Sequence, residues 1–116
     1  LVFEWGLHRT DGPAVEYANG TKEWRINGEW HRTDGPAIEF ANGDKHWYLK
    51  GLRHRTDGPA IEHADGTKYW YFNNNLHRTD DPAREFANGD KEYWVDGVKY
   101  PYLPTAEEVL TRDIIE

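Results

Sequence analysis

The sequence predicts an all-β fold: a single-layer antiparallel array of β-hairpins with a short C-terminal capping α-helix. Three observations predict it. The string His-Arg-Thr-Asp-Gly-Pro-Ala occurs at 8–14, 31–37 and 54–60 and returns at 77–83 with Asp81 in place of glycine, each copy 23 residues after the last. Each unit of that period carries two reversal signals. The last residues carry a helix-start signature. A fixed period of this length marks stacked supersecondary units, each of which buries its apolar side only against its neighbours.

Along the chain, residues 1–7 read as the tail of an earlier, degenerate unit. Four repeats follow at 8–30, 31–53, 54–76 and 77–99. The hairpin domain is expected over 1–101 and the helical cap over 102–116. The first reversal of each repeat is Asn19-Gly20, Asn42-Gly43, Asp65-Gly66 or Asn88-Gly89; the second is Asn27-Gly28, Lys50-Gly51, Asn73-Asn74 or Asp96-Gly97. Asn-Gly and Asp-Gly tolerate a positive φ at both central residues, as the two-residue turns of tight hairpins require.

A two-residue turn at Asn19-Gly20 pairs Tyr17 with Lys22, Glu16 with Glu23 and Val15 with Trp24. Opposed side chains share a face. Pro13, Val15, Tyr17, Lys22, Trp24 and Ile26 then form a mostly apolar face, and Ala14, Glu16, Ala18, Thr21, Glu23 and Arg25 a mostly polar one. In this register Lys22, Lys45, Lys68 and Lys91 lie over Tyr17, Phe40, His63 and Phe86, covering the rings with their stems. Past the second turn, His31 falls opposite Trp24, His54 opposite Trp47 and His77 opposite Trp70. Arg-Thr-Asp-Gly-Pro then reads as the corner leading into the next repeat, with short polar side chains bonding nearby backbone and Gly12 easing the bend.

Composition agrees with a thin sheet. Only 37% of residues are hydrophobic and mean hydropathy is −0.98, yet aromatics reach 15%, with six Trp and seven Tyr. Disordered chains are poor in aromatics. The net charge is −7, and no basic run occurs, which argues against duplex nucleic acid and anionic membrane as partners. There is no cysteine, so neither a disulfide framework nor a thiolate metal site is expected. A reducing, cytoplasmic setting is the expectation, since no long apolar stretch or signal peptide is visible.

At Asn27-Gly28-Glu29-Trp30-His31 and Ala64-Asp65-Gly66-Thr67-Lys68 the chain resembles MORN repeats, over about residues 1–100. That family has a 23-residue unit with an aromatic, an Asn-Gly, a histidine two residues further on, and an Ala-Asp-Gly turn. The family's His-Gly-x-Gly is replaced here by His-Arg-Thr-Asp-Gly-Pro-Ala. The chain therefore looks more like the MORN-variant repeats of bacterial and phage proteins, some labelled antitoxin-like. The resemblance implies an elongated sheet of stacked hairpins and a role in interaction or assembly. Lipid binding has been proposed for some members; the acidic balance here argues against it.

In the tail, Thr105 and Glu108 form a capping box, and Ala106, Val109, Leu110 and Ile114 mark one face of a short amphipathic helix. Such a helix would cover the end of the last hairpin.

No catalytic residue, metal site or cofactor is expected. Equivalent histidines stand two strands apart, about 10 Å, too far for one ion to bridge with bonds of about 2 Å. Catalysis gathers different groups around one reacting atom, whereas four near-identical units offer a row of equal environments. The candidate binding residues are Trp24, Trp47 and Trp70, His31, His54 and His77, and Arg9, Arg32, Arg55 and Arg78. One use of them is a contact surface for a protein partner or a homodimer. The other is a small anionic ligand, such as a nucleotide whose base stacks on Trp and whose phosphates meet Arg.

Overall fold

The computed structural model describes residues 8–115. Fifteen short strands and one helix form the described chain. Repeat 1 contributes β1 (Val15–Glu16), β2 (Lys22–Glu23), β3 (Arg25–Ile26) and β4 (Glu29–Trp30). Repeat 2 contributes β5 (Ile38–Glu39), β6 (Lys45–His46), β7 (Tyr48–Leu49) and β8 (Leu52–Arg53), and repeat 3 contributes β9 (Ile61–Glu62), β10 (Lys68–Tyr69), β11 (Tyr71–Phe72) and β12 (Asn75–Leu76). Repeat 4 gives β13 (Arg84–Glu85), a longer β14 (Lys91–Val95) and β15 (Val98–Tyr100), before α1 (Ala106–Ile115).

The fold is the hairpin array that the period predicts. The first hairpins of all repeats join side by side in one antiparallel sheet, ordered β1-β2-β5-β6-β9-β10-β13-β14-β15. The second hairpins of repeats 1 to 3 are separate two-stranded ribbons. The molecule measures 51 × 32 × 19 Å, a long thin body. The partial unit expected at 1–7 lies outside the described residues.

The register of the first hairpin differs from the expectation by one residue. Val15 pairs with Glu23, and Glu16 with Lys22. The loop has three residues, not two: Gly20 N–H donates to the Tyr17 carbonyl at 3.0 Å, Tyr17 N–H donates to the Thr21 carbonyl at 2.9 Å, and only Gly20 has a positive φ, 97°. A three-residue hairpin loop of this kind ends on a residue in the left-handed region. Local bonds select it. The side-chain oxygens of Asn19, Asn42, Asp65 and Asn88 accept the amide two residues on, at 2.9 Å each.

The shift overturns the expected faces. Val15 and Glu23 share one side of the sheet, and Glu16 and Lys22 the other. Trp24 does not share the face of Val15 in one continuous strand, because the strand breaks at Trp24. The lysines do not pair with the ring row. They alternate with glutamates in a ladder from Glu16 through Lys22, Glu39, Lys45, Glu62, Lys68 and Glu85 to Lys91. Cross-strand pairs of opposite charge each contribute about 0.2–1 kcal/mol.

The second turn follows the sequence. Asn27 and Gly28 have φ of 51° and 82°, and Ile26 pairs with Glu29 across them. The pairing of His31 with Trp24 also holds: the histidine N–H donates to the Trp24 carbonyl at 3.0 Å, and His54 and His77 repeat the bond at 3.2 and 3.0 Å.

The core is small and periodic. Ala14, Ala37, Ala60 and Ala83 are fully buried, followed by buried Val15, Ile38 and Ile61. Against Ala37, Ala60 and Ala83 the strand of the preceding repeat bends. Trp24 N–H donates to the Ala37 carbonyl at 2.7 Å, and Trp47 and Trp70 do the same to Ala60 and Ala83. At the C-terminus the capping box forms as expected, Thr105 and Glu108 exchanging bonds of 3.0 and 3.1 Å. The Tyr102 hydroxyl donates to Glu108, while Leu110 stays exposed.

Candidate functional site

The corner motif performs three tasks, one per residue type. Its histidine reaches across its own repeat to the second turn. Nδ1 of His8, His31, His54 and His77 accepts the N–H of Asn27, Lys50, Asn73 and Asp96, at 2.9–3.0 Å. Those four residues open the second turns and all have positive φ. Each corner histidine thus caps a strained turn 19 residues downstream, with its proton assigned to Nε2.

The arginine holds the corner closed. The guanidinium of Arg32 lies 3.8 Å from the Trp24 ring centre, Arg55 lies 3.9 Å from Trp47 and Arg78 4.0 Å from Trp70. Arg55 Nε donates to Asp57, and its Nη1 donates to the Pro59 carbonyl and to Glu62, at 2.8, 3.1 and 2.7 Å. Arg32 and Arg78 repeat the set, and Arg9 bonds Asp11 and the Pro13 carbonyl. Hydrogen bonding to arginine, and then its positive charge, holds the carboxyls of Asp11, Asp34 and Asp57 below their ordinary range.

The corner glycine makes room for this arginine. It is not needed for a positive φ. A Cβ at Gly58 would stand 2.8 Å from Arg55 Cζ, and one at Gly35 2.9 Å from Arg32 Cζ. In repeat 4, Asp81 occupies the position and its carboxylate approaches Arg78 at 3.5 Å.

Successive corners stand as ridges with a groove between each pair. Three such grooves, of about 470, 510 and 730 Å³, repeat along the array. Their floors are Trp24 with Ile26, Trp47 with Leu49, and Trp70 with Phe72. Corner histidines, arginines, threonines and aspartates form the walls. The charges are layered. The side chains of Arg32 and Arg55 are 20% exposed, whereas those of Asp34 and Asp57 are 83% and 82% exposed.

The structure therefore brings the sequence-selected Trp, His and Arg residues together in register, one set per groove. The arginines lie on the indoles. The candidate binding residues drawn from the sequence leave out the aspartates of this rim and the threonines beside them, although both recur in every motif copy. Sequence reading placed Phe40, His63 and Phe86 in one ring row but missed His46 and Tyr69, which link them: Phe40, His46, His63, Tyr69 and Phe86 follow one another with centroids 4.8–6.2 Å apart. Within it, burial and then the nearby charge of His63 push the His46 imidazole below its ordinary range. Asp44, which accepts the Ala64 amide at 2.7 Å and meets His63 Nδ1 at 3.2 Å, is held low mainly by that amide.

Glu23 and Glu92 close the two ends of the described array. Glu23 accepts from the Tyr17 hydroxyl, Arg25 and the Trp30 indole, at 3.0, 2.8 and 3.2 Å. Glu92 accepts from Trp94 and Arg84 at 2.9 and 3.1 Å. Among the described residues no three His, Asp or Glu side chains are grouped to hold a metal ion, and no helix is long and apolar enough to cross a membrane.

No family model, curated protein or solved structure matches the chain.

Proposed function

We propose that the chain is a non-enzymatic repeat scaffold that binds a protein partner, or a second copy of itself, along its row of corner grooves. The observation that carries this reading is the translational repetition of one groove with an apolar, aromatic floor and a polar rim. Interfaces favour this anatomy, with aromatic anchors at the centre and polar groups outside. Repetition supports a long partner held at several equal points, and accords with the scaffold role that the MORN resemblance implies.

The competing reading, an anionic nucleotide held between Trp and Arg, fits the geometry less well. Each of the three stacked guanidiniums already lies on an indole face and bonds two carboxylates and a carbonyl. A phosphate would have to displace those partners within an outward-facing row of aspartates. Duplex nucleic acid and anionic membrane face the same unfavourable charge, −7 over the chain.

The test combines light scattering with affinity capture and mass spectrometry, using the native chain and a triple variant, Thr10→Arg, Thr33→Arg and Thr56→Arg. These threonines are exposed on the groove walls. The scaffold reading expects a dimer or a captured protein that the triple variant loses. A monomer that captures nothing, and whose melting temperature rises with a nucleotide, would favour the small-ligand reading.

A further inference from the structure

We propose that the partner segment is a basic, proline-rich strand in the polyproline II conformation, placing every third residue in successive grooves. This rests on the scaffold reading and specifies its partner. The first support is pitch. Each repeat adds two strands to the continuous sheet, and strands about 4.8 Å apart set successive grooves about 9.6 Å apart. A polyproline II helix turns once in three residues and rises about 3.1 Å per residue, so every third side chain recurs at about 9.3 Å on the same side.

Other ligand geometries fall out of phase. Side chains on one face of a β-strand recur every 6.8 Å or so, and a strand seated in the first groove misses the second by about 2.8 Å. The nearest helical spacing, seven residues, is about 10.5 Å, an error of about 0.9 Å per groove. The polyproline error is about 0.3 Å per groove, and three grooves accumulate only about 0.6 Å.

The second support is charge. The groove cations are withdrawn onto the indoles, while Asp34 and Asp57 face outward. An arginine or lysine arriving from the ligand would lay its stem along Trp and Leu or Ile and put its charge beside an aspartate. Aromatic-lined surfaces favour such segments because the ligand is already extended and loses little conformational entropy on docking. Several weak contacts in phase then reinforce one another.

Titration calorimetry at low ionic strength, with the intact chain, tests the proposal. The probes are two capped peptides of equal charge, (Pro-Pro-Arg)3 and (Pro-Pro-Pro-Arg)3. The first keeps the three-residue spacing; the second breaks it. The proposal expects (Pro-Pro-Arg)3 to bind at least tenfold more tightly, to perturb tryptophan fluorescence, and to lose at least tenfold in affinity to the double variant Thr33→Arg/Thr56→Arg while far-ultraviolet circular dichroism is unchanged. Equal affinity for both peptides would reduce the effect to charge attraction and overturn the proposal, as would the absence of binding by either. If the threonine variants lose a captured protein that (Pro-Pro-Arg)3 fails to displace, the polyproline proposal falls and the scaffold reading stands. If there is also neither captured partner nor dimer, both fall.

Discussion

Repeat 4 differs from the three before it in how the chain leaves the first hairpin. In repeats 1 to 3 the chain leaves the main sheet at Trp24, Trp47 or Trp70 and starts a separate ribbon, whereas β14 runs unbroken from Lys91 to Val95. The equivalent residue, Tyr93, pairs with Tyr100 across the final hairpin. The three tryptophans instead give their N–H to the alanine carbonyl of the following corner. The bend is thus imposed by the next repeat. Where a corner follows, its alanine takes the amide, its arginine covers the indole, and a groove opens between ridges. The site belongs to the junction of two repeats.

Breaking one junction should therefore cost more than altering a loop within a repeat. Arg55→Ala removes a stacked cation and three hydrogen bonds from the junction of repeats 2 and 3. The expected loss is about 2–3 kcal/mol in chemical denaturation. Arg55→Lys should recover less than half of it, because an ammonium cannot reproduce the planar fork.

His54→Ala uncaps the Asn73 turn and loses a ring contact of 4.5 Å with Phe72. About 1–2 kcal/mol is expected. Amide exchange should accelerate at Asn73, 19 residues from the substitution, more than at His54 itself.

Acid should sharpen the comparison at His46, a position held by Glu23, Tyr69 and Glu92 in the other repeats. The folded chain binds the His46 proton more weakly than the unfolded chain does. Its contribution is therefore complete above about pH 6.5 and is lost as pH falls through the lower folded value. Asp44 adds a further loss at more acid pH, below the ordinary carboxylate range. His46→Tyr should flatten the stability profile between pH 7 and 5 and leave the acid limb in place; an unchanged slope would contradict the assignment.

The smallest effect is expected at Asn42→Ala, which removes two bonds within a loop: the Asp44 amide to Asn42 Oδ1 at 2.9 Å, and Asn42 Nδ2 to the Asp44 carboxylate at 3.4 Å. About 0.5–1 kcal/mol should be lost, with exchange altered only at that loop.

The two turns of each repeat show what the sequence does and does not disclose. The period, the all-β hairpins, the second turn, the Trp24–His31 pairing and the helix cap at Thr105 were all readable from spacing. The first turn was misread by one residue, because Asn-Gly serves both loops. At Asn27-Gly28 both residues are left-handed and the corner histidine at the start of the same repeat receives the amide. At Asn19-Gly20 the asparagine bonds its own loop and only the glycine is left-handed. That shift exchanged the expected lysine lids for a Glu–Lys ladder, three of whose seven pairs join different repeats and are invisible within a single hairpin. The corner arginines were legible as a row, but their seats on the preceding tryptophans depend on the bend, which only the next repeat creates.

The central claim is that each corner joins the tryptophan of the preceding repeat to the second turn of its own repeat and so sets the row of equal grooves. Scalar coupling across hydrogen bonds, measured by NMR on ¹⁵N-labelled chain, tests it directly. Nitrogen–nitrogen coupling is predicted from Nδ1 of His31, His54 and His77 to the amides of Lys50, Asn73 and Asp96. Imidazoles protonated at Nδ1 and uncoupled to those amides at neutral pH would contradict it.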